Sequence, residues 1–245
     1  IPQLLKGDFT DQVSTGIDNW TLRQPLSVVA GITPFNFPVM VPMWMFPLAL
    51  AAGNSFVLKP IPLDPSPAPR IAELLRQAGL PDGVFNVVQG DKEMVDGILE
   101  HPGIAGVSFV GSTAVGEYVY QKGTSHNKRV AAFTGGKNHM VVMPDADLDA
   151  AASAFVAAGF GSASQRCMAV SLLLPVGQAT ADRLRELVIE KTKALKVGPY
   201  NDPQADFGAV VSAQSKQAVL QAIENCIKDG GELLLDGRGL QVPGH

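Results

Sequence analysis

The sequence predicts an α/β protein in which a doubly wound parallel sheet is followed by part of a second α/β domain. Short apolar runs alternate with amphipathic helical patterns through the first half, the order that crossover connections between parallel strands impose. The runs are apolar throughout instead of alternating with polar residues, as expected of strands covered on both faces. Near Met140 the theme restarts, which divides the chain into residues 1–138 and 139–245.

In the first domain Leu26 to Ile32 reads as a strand, with a helix starting near Pro38. Ser55 to Leu58 is the second strand. Ser66 to Ala78 is a helix with Ile71, Leu74 and Leu75 on one face, stopped by Gly79 and Pro81. Val84 to Val88 and Lys92 to Leu99 repeat the pair, Val107 to Val110 is a fourth strand, and Gly111-Ser112-Thr113-Ala114-Val115-Gly116 opens the helix after it. Val130 to Phe133 is a fifth strand. In the second domain Val141-Val142-Met143 leads through the polar Pro144-Asp145-Ala146-Asp147 turn into an alanine-rich helix reaching about Ala158. A strand follows at Met168 to Leu174, then helices at Ala181 to Leu195 and Ala213 to Lys228, and a short strand at Glu232 to Leu235.

Bulk properties narrow the function. With 46% hydrophobic and 17% charged residues the chain has the profile of a globular protein. A net charge of -4 without a Lys/Arg run argues against nucleic acid as a partner. The apolar stretch from Phe37 to Ala52 falls short of the ~20 residues a bilayer requires and contains Pro38, Pro42 and Pro47; it reads as a buried helical segment, and no membrane partner is expected. Two cysteines, with no CxxC and no His pair at ligand spacing, indicate neither a disulfide framework nor a metal site and suit a reducing compartment. The first residue is Ile1 and not Met, so a preceding piece is expected and targeting is unreadable.

Open parallel sheets bind ligands beyond the carboxyl ends of their strands, so polar groups just after strands are the candidates. Asn36, in Thr33-Pro34-Phe35-Asn36-Phe37-Pro38, either caps the next helix or serves as an amide donor. Gly111 to Gly116 is either an ordinary strand-to-helix turn or one whose N–H groups face a phosphate. Lys59, ending the second strand, is either solvated or positioned for ribose and phosphate oxygens. Cys167 lies in the small, polar stretch Gly161-Ser162-Ala163-Ser164-Gln165-Arg166-Cys167-Met168. There the Arg166 guanidinium would favour a reactive thiolate; an inert thiol is the alternative. Cys226, within an amphipathic helix, reads as structural.

Five segments together, Thr33 to Pro38, Leu58-Lys59-Pro60, Ala78 to Val88, Phe109 to Thr113 and Gln165-Arg166-Cys167, closely resemble the aldehyde dehydrogenase superfamily. Lys137-Asn138-His139, the run from Val141 to Ala146 and Arg166-Cys167-Met168-Ala169 resemble more particularly its methylmalonate- and malonate-semialdehyde dehydrogenase branch. The resemblance implies a Rossmann-like NAD-binding domain and an incomplete catalytic domain. Cys167 would be the nucleophile, Asn36 the amide of the oxyanion hole, and Arg166 the partner of a substrate carboxylate. Thr33, Phe35, Lys59, Gly111, Ser112 and Thr134 would surround NAD.

The resemblance also implies a small-molecule aldehyde as substrate, coenzyme A as acyl acceptor, a cytoplasmic enzyme, and a homo-oligomeric full-length protein, dimer or tetramer. Hydrolytic relatives place a glutamate where this chain has Phe133, and a phenyl ring cannot act as a general base. A hydrolytic dehydrogenase releasing the free acid and an inactive nucleotide-binding fragment are the alternatives. Two departures stand out: Pro62 sits where the family commonly has an acid for the adenosine ribose, and Ser164 where it has glycine. The family chain is considerably longer, so this one is expected to be a fragment.

Overall fold

The computed structural model describes residues 1–242, and the chain divides after Gly135 into two compact units. The first begins with a short helix α1 (Pro2–Leu5) and an antiparallel hairpin of β1 (Phe9–Ser14) and β2 (Ile17–Trp20), all of whose residues are exposed. The main sheet then follows: β3 (Val28–Ile32), α2 (Met40–Ala51), β4 (Ser55–Lys59), α3 (Pro67–Gln77), β5 (Phe85–Val87), α4 (Lys92–Glu100), β6 (Ile104–Val110), α5 (Thr113–Ser125) and β7 (Arg129–Phe133). The strands are all parallel, in the order β5-β4-β3-β6-β7. That is the 3-2-1-4-5 arrangement of the Rossmann-like fold.

Each face of this sheet carries its own core, which explains why the strands read as unbroken apolar runs. Ala30 and Ile32 of β3 and Val107 and Phe109 of β6 pack with Ile98, Leu99 and Val119 of α4 and α5. On the opposite face Phe56 and Leu58 of β4 pack with Phe46 of α2 and Ala68 of α3, with Val29 and Phe85 against them. The Phe46 and Phe85 rings meet edge to face at 4.9 Å. A Cβ on Gly31 would stand 2.6 Å from Phe56 Cζ and 2.9 Å from Met45 Sδ, so glycine there is what lets α2 lie close on the sheet. Off the sheet, α4 and α5 are tied by Asp96, which accepts from Lys92 at 2.6 Å and from the Tyr118 hydroxyl at 2.5 Å and pairs with Lys122 at 3.0 Å.

The second unit contains β8 (Asn138–Val142), α6 (Leu148–Phe160), a 3-10 turn Gly161–Ser164, β9 (Val170–Pro175), α7 (Gln178–Lys193) and α8 (Ala213–Lys228). Strands β8 and β9 pair in parallel, and Val142, Ala152, Leu184 and Leu187 form the core. The Asp147 carboxylate caps α6, accepting from the N–H groups of Asp149 and Ala150 at 3.1 Å each. Helix α8 has no buried residue. Its Leu220 and Ile223 line a cavity of about 1530 Å³ together with Leu173, Leu184, Val188 and Leu234.

The strand expected at Glu232 to Leu235 does not form. An apolar run becomes a strand only where another strand accepts its hydrogen bonds. Among the described residues none pairs with it, and Leu233, Leu234 and Leu235 remain 42%, 47% and 38% exposed. No helix of the described residues is long and apolar enough to cross a membrane.

Candidate active site

The strand order places a topological switch between β3 and β6, since the chain builds outward from β3 through β4 to β5 and then returns to the other side of β3. Crevices at such a switch bind ligands because the loops leaving the two strands diverge and expose main-chain groups. Thr33 to Asn36 follow β3, Gly111 and Ser112 follow β6, Lys59 ends β4 and Thr134 follows β7. The structure thus collects at the carboxyl ends of the strands of one sheet the seven positions that the sequence marked separately in this unit.

Three features there suit a phosphorylated ligand. Thr33 is 4% exposed, and its Oγ1 is a buried side-chain atom with no hydrogen-bond partner among the described residues. Such an orphan costs about 1–3 kcal/mol unless something bonds to it. Lys59 is 5% exposed, and burial pushes its ammonium below the usual lysine range, partly offset by the nearby Asp91 carboxylate. It is therefore not the solvated strand-end lysine that exposure statistics favour. At the start of α5, Ser112 is the N-cap but makes no side-chain cap bond, so the first N–H groups of a 13-residue helix stay available to an anion. A Cβ at Gly116 would lie 2.3 Å from Thr134 Cγ2, so the closeness of α5 to the end of β7 depends on glycine. An orphaned hydroxyl, a buried cation and an uncapped helix end fit the dinucleotide expected here.

Asn36 does not cap the following helix. That helix begins at Met40 with Val39 as its N-cap, and Asn36 lies in the preceding bend. Pro38 also falls before the helix and not in its first turn. The half-buried Asn36 amide has no hydrogen-bond partner among the described residues, which leaves its N–H groups free to donate. Phe35 is half-buried in the same bend. Phe133, closing β7, is 65% exposed.

In the second unit Cys167 is an exposed free thiol. It occupies the second position of a turn closed by the Ala169 N–H donating to the Arg166 carbonyl at 3.1 Å. Before it, Ser162, Ala163 and Ser164 all adopt left-handed backbone at φ 58°, 52° and 61°. Each such residue with a Cβ costs roughly 1–2 kcal/mol, and the loop is retained by side-chain ties. The Gln165 carboxamide donates to Ser162 O at 3.2 Å and accepts from Val211 N at 2.8 Å. Asn138 Nδ2 donates to Cys167 O at 2.9 Å and Ala169 O at 2.8 Å.

Sequence reasoning assigned no role to Asn138 or Gln165. Their partners are main-chain groups distant in the chain, which spacing does not reveal. The guanidinium of Arg166 is folded against Gly161, where a Cβ would meet Nη1 at 2.7 Å. It borders a cavity of about 520 Å³ with Ser153, Val156, Lys191 and Asp206. Cys226 is exposed on α8 instead of packed in a core, because that helix buries none of its residues. Among the described residues no group of three or more His, Cys, Asp or Glu side chains could hold a metal ion.

Comparison with known proteins places the chain in a family. Residues 2–245 match the model of the aldehyde dehydrogenase family. The malonate-semialdehyde dehydrogenase of Pseudomonas aeruginosa is 52% identical over all of this chain and 49% of its own length. The mitochondrial methylmalonate-semialdehyde dehydrogenase [acylating] of Arabidopsis thaliana is 46% identical over 99% of this chain and 40% of its own. A crystal structure assigned as methylmalonate-semialdehyde dehydrogenase from Sinorhizobium meliloti 1021, complexed with NAD, superposes with a TM-score of 0.94 at 51% identity, over 99% of this chain and 50% of that one. The chain thus spans about half the length of the first two relatives, or less.

Proposed function

The chain belongs to the aldehyde dehydrogenase family, and on that premise we propose that it is the cofactor- and nucleophile-bearing part of an NAD-dependent malonate- or methylmalonate-semialdehyde dehydrogenase that acylates coenzyme A. The observation that carries the reading is the exposed Cys167 thiol on a turn whose first N–H groups are left unspent among the described residues. In this reading residues 1–138 hold the cofactor and residues 139–245 begin the catalytic domain.

Thr33, Phe35, Lys59, Gly111, Ser112 and Thr134 would hold NAD, the buried Lys59 and the α5 N-terminus taking its negatively charged groups. Bound NAD supplies the hydride acceptor that converts the first covalent adduct to a thioester. The Cys167 thiolate attacks the aldehyde carbon, a C–S bond forms, and the carbonyl pair moves onto oxygen. That oxygen needs fixed N–H donors, the roles that the family resemblance gives to the Asn36 amide and the Cys167 N–H, and one such donor is typically worth ~2.7–4 kcal/mol of barrier. Arg166 pairs with the substrate carboxylate. Once the thioester has formed, the bond from Cα to that carboxylate breaks, carbon dioxide leaves, and the electron pair, delocalised into the thioester carbonyl, takes a proton from water.

Phe133 carries no lone pair able to take a proton, so water lacks the base assistance worth ~10²–10⁴ in rate. The coenzyme A thiol therefore takes the acyl group, breaking the C–S bond and returning the Cys167 thiolate. The word "acylating" in the name of the Arabidopsis relative supports the same outcome. Neither the hydrolytic nor the inactive alternative has comparable support. The reading extends to a cytoplasmic homo-oligomer, and the exposed β1–β2 hairpin with Phe9 and Trp20 at its ends supports the oligomer.

The test incubates the complete protein containing this chain with malonate semialdehyde, NAD and coenzyme A. The expected products are NADH and an acyl-coenzyme A, with both lost in Cys167→Ala. Free acid as the sole product overturns the acyl transfer, and NADH formation by a folded Cys167→Ala protein overturns the nucleophile.

A further inference from the structure

We propose that Asn138 is a positioning residue whose carboxamide fixes the main chain of Cys167 so that the cysteine's N–H and Sγ are presented together. The inference deepens the nucleophile reading and rests on it. Both hydrogens of Asn138 Nδ2 are spent on carbonyls of the same turn, at 2.9 Å to Cys167 O and 2.8 Å to Ala169 O. Bonding at Cys167 O sets the plane of the peptide that follows the cysteine.

The peptide that precedes it is set separately, because Arg166 O accepts from Ala169 N at 3.1 Å. In a trans peptide the N–H points opposite to the C=O, so an Arg166 carbonyl turned into the turn directs the Cys167 N–H out of it. No hydrogen bond consumes that N–H among the described residues. With both flanking peptide planes fixed, neither backbone dihedral of Cys167 is free.

Asn138 can grip the turn because of its place in the sheet. It is the first residue of β8 and pairs with Val170, and the register shifts between Asn138 and His139. That irregularity lies where the ladder gives way to the turn, and a side-chain amide takes over carbonyls that the strand leaves unpaired. On the upstream side Gln165 ties the left-handed run Ser162 to Ser164, which tends to relax, through Ser162 O and Val211 N, but neither bond reaches the main chain of Cys167 itself.

Two reactions of one thiol separate positioning from folding. Alkylation of Cys167 by iodoacetamide is a displacement that builds no oxyanion. Its acylation by p-nitrophenyl acetate passes through a tetrahedral oxyanion that the Cys167 N–H must meet. In a Cys226→Ala background, Asn138→Leu keeps the branched shape and removes both donors. Expected is a fall in acylation of roughly 10- to 100-fold, with alkylation within about twofold and the thermal midpoint retained. Asn138→Gln, which keeps two N–H donors on a longer stem, should recover part of the acylation rate and covers the case in which the leucine variant fails to fold.

Acylation at the parent rate in folded Asn138→Leu, or a parallel loss of both reactions in the leucine and glutamine variants, overturns the proposal. Acylation that persists in Cys167→Ala overturns instead the nucleophile reading beneath it, so the two failures are told apart.

Discussion

The two units are built on the same α/β theme but close their sheets differently. In the first, five parallel strands carry a core on each face, and Phe56 and Leu58 are 2% and 0% exposed. In the second, two parallel strands carry one small core, while Val141, Leu172 and Leu174 stay 59%, 41% and 43% exposed. Parallel sheets are ordinarily covered on both sides. The contrast teaches that the proposed cofactor cradle rests on a self-sufficient scaffold, whereas the loop of the proposed nucleophile depends on local side-chain ties such as those of Asn138 and Gln165.

The largest expected effect tests that contrast directly. Leu58→Ala should cost about 2–5 kcal/mol, seen as lost amide-exchange protection in β3, β4 and β6 with β8 and β9 unaffected. Leu174→Ala should stay within about 0.5 kcal/mol. Equal costs at the two leucines would erase the distinction.

Next comes Lys59→Met. A buried ammonium held below its ordinary value binds its proton less readily in the folded than in the unfolded protein. Stability should therefore rise as pH climbs through the lowered folded value toward 10.5. The methionine variant should lose that alkaline gain in urea melts and should bind NAD more weakly by calorimetry. An unchanged pH slope together with unchanged binding would remove Lys59 from the cradle.

The smallest gain is expected at Ser164→Gly. At φ 61° a glycine escapes the Cβ clash, which should stabilise the second unit by about 1 kcal/mol. A lower thermal midpoint would show that the left-handed loop is not strained.

Legibility in the sequence followed burial. Val28–Ile32, Ser55–Lys59 and Ile104–Val110 were readable as strands because both faces are covered and the runs are apolar. The hairpin Phe9–Trp20 was missed, since every residue in it is exposed and neither face imposes a pattern. Glu232 to Leu235 misled for the opposite reason, being apolar with no strand to join. Asn36 was ambiguous because cap and free donor share one residue type, and only the helix start at Met40 separates them. Asn138 is legible only as part of the Lys137-Asn138-His139 likeness and its grip on the turn is not, because what it holds is main chain 29 and 31 residues away.

The position of β3 at the middle of its sheet also bears on how the protein acquires its shape. One flank of β3 is filled by β4, its near neighbour in the chain, but the other waits for β6, which follows only after α3, β5 and α4. Loop closure of that length slows assembly. During synthesis half of the sheet can therefore consolidate early, while the crevice between the β3 and β6 loops comes into being only with the late arrival of β6. Folding intermediates should accordingly be compact before they can bind a nucleotide.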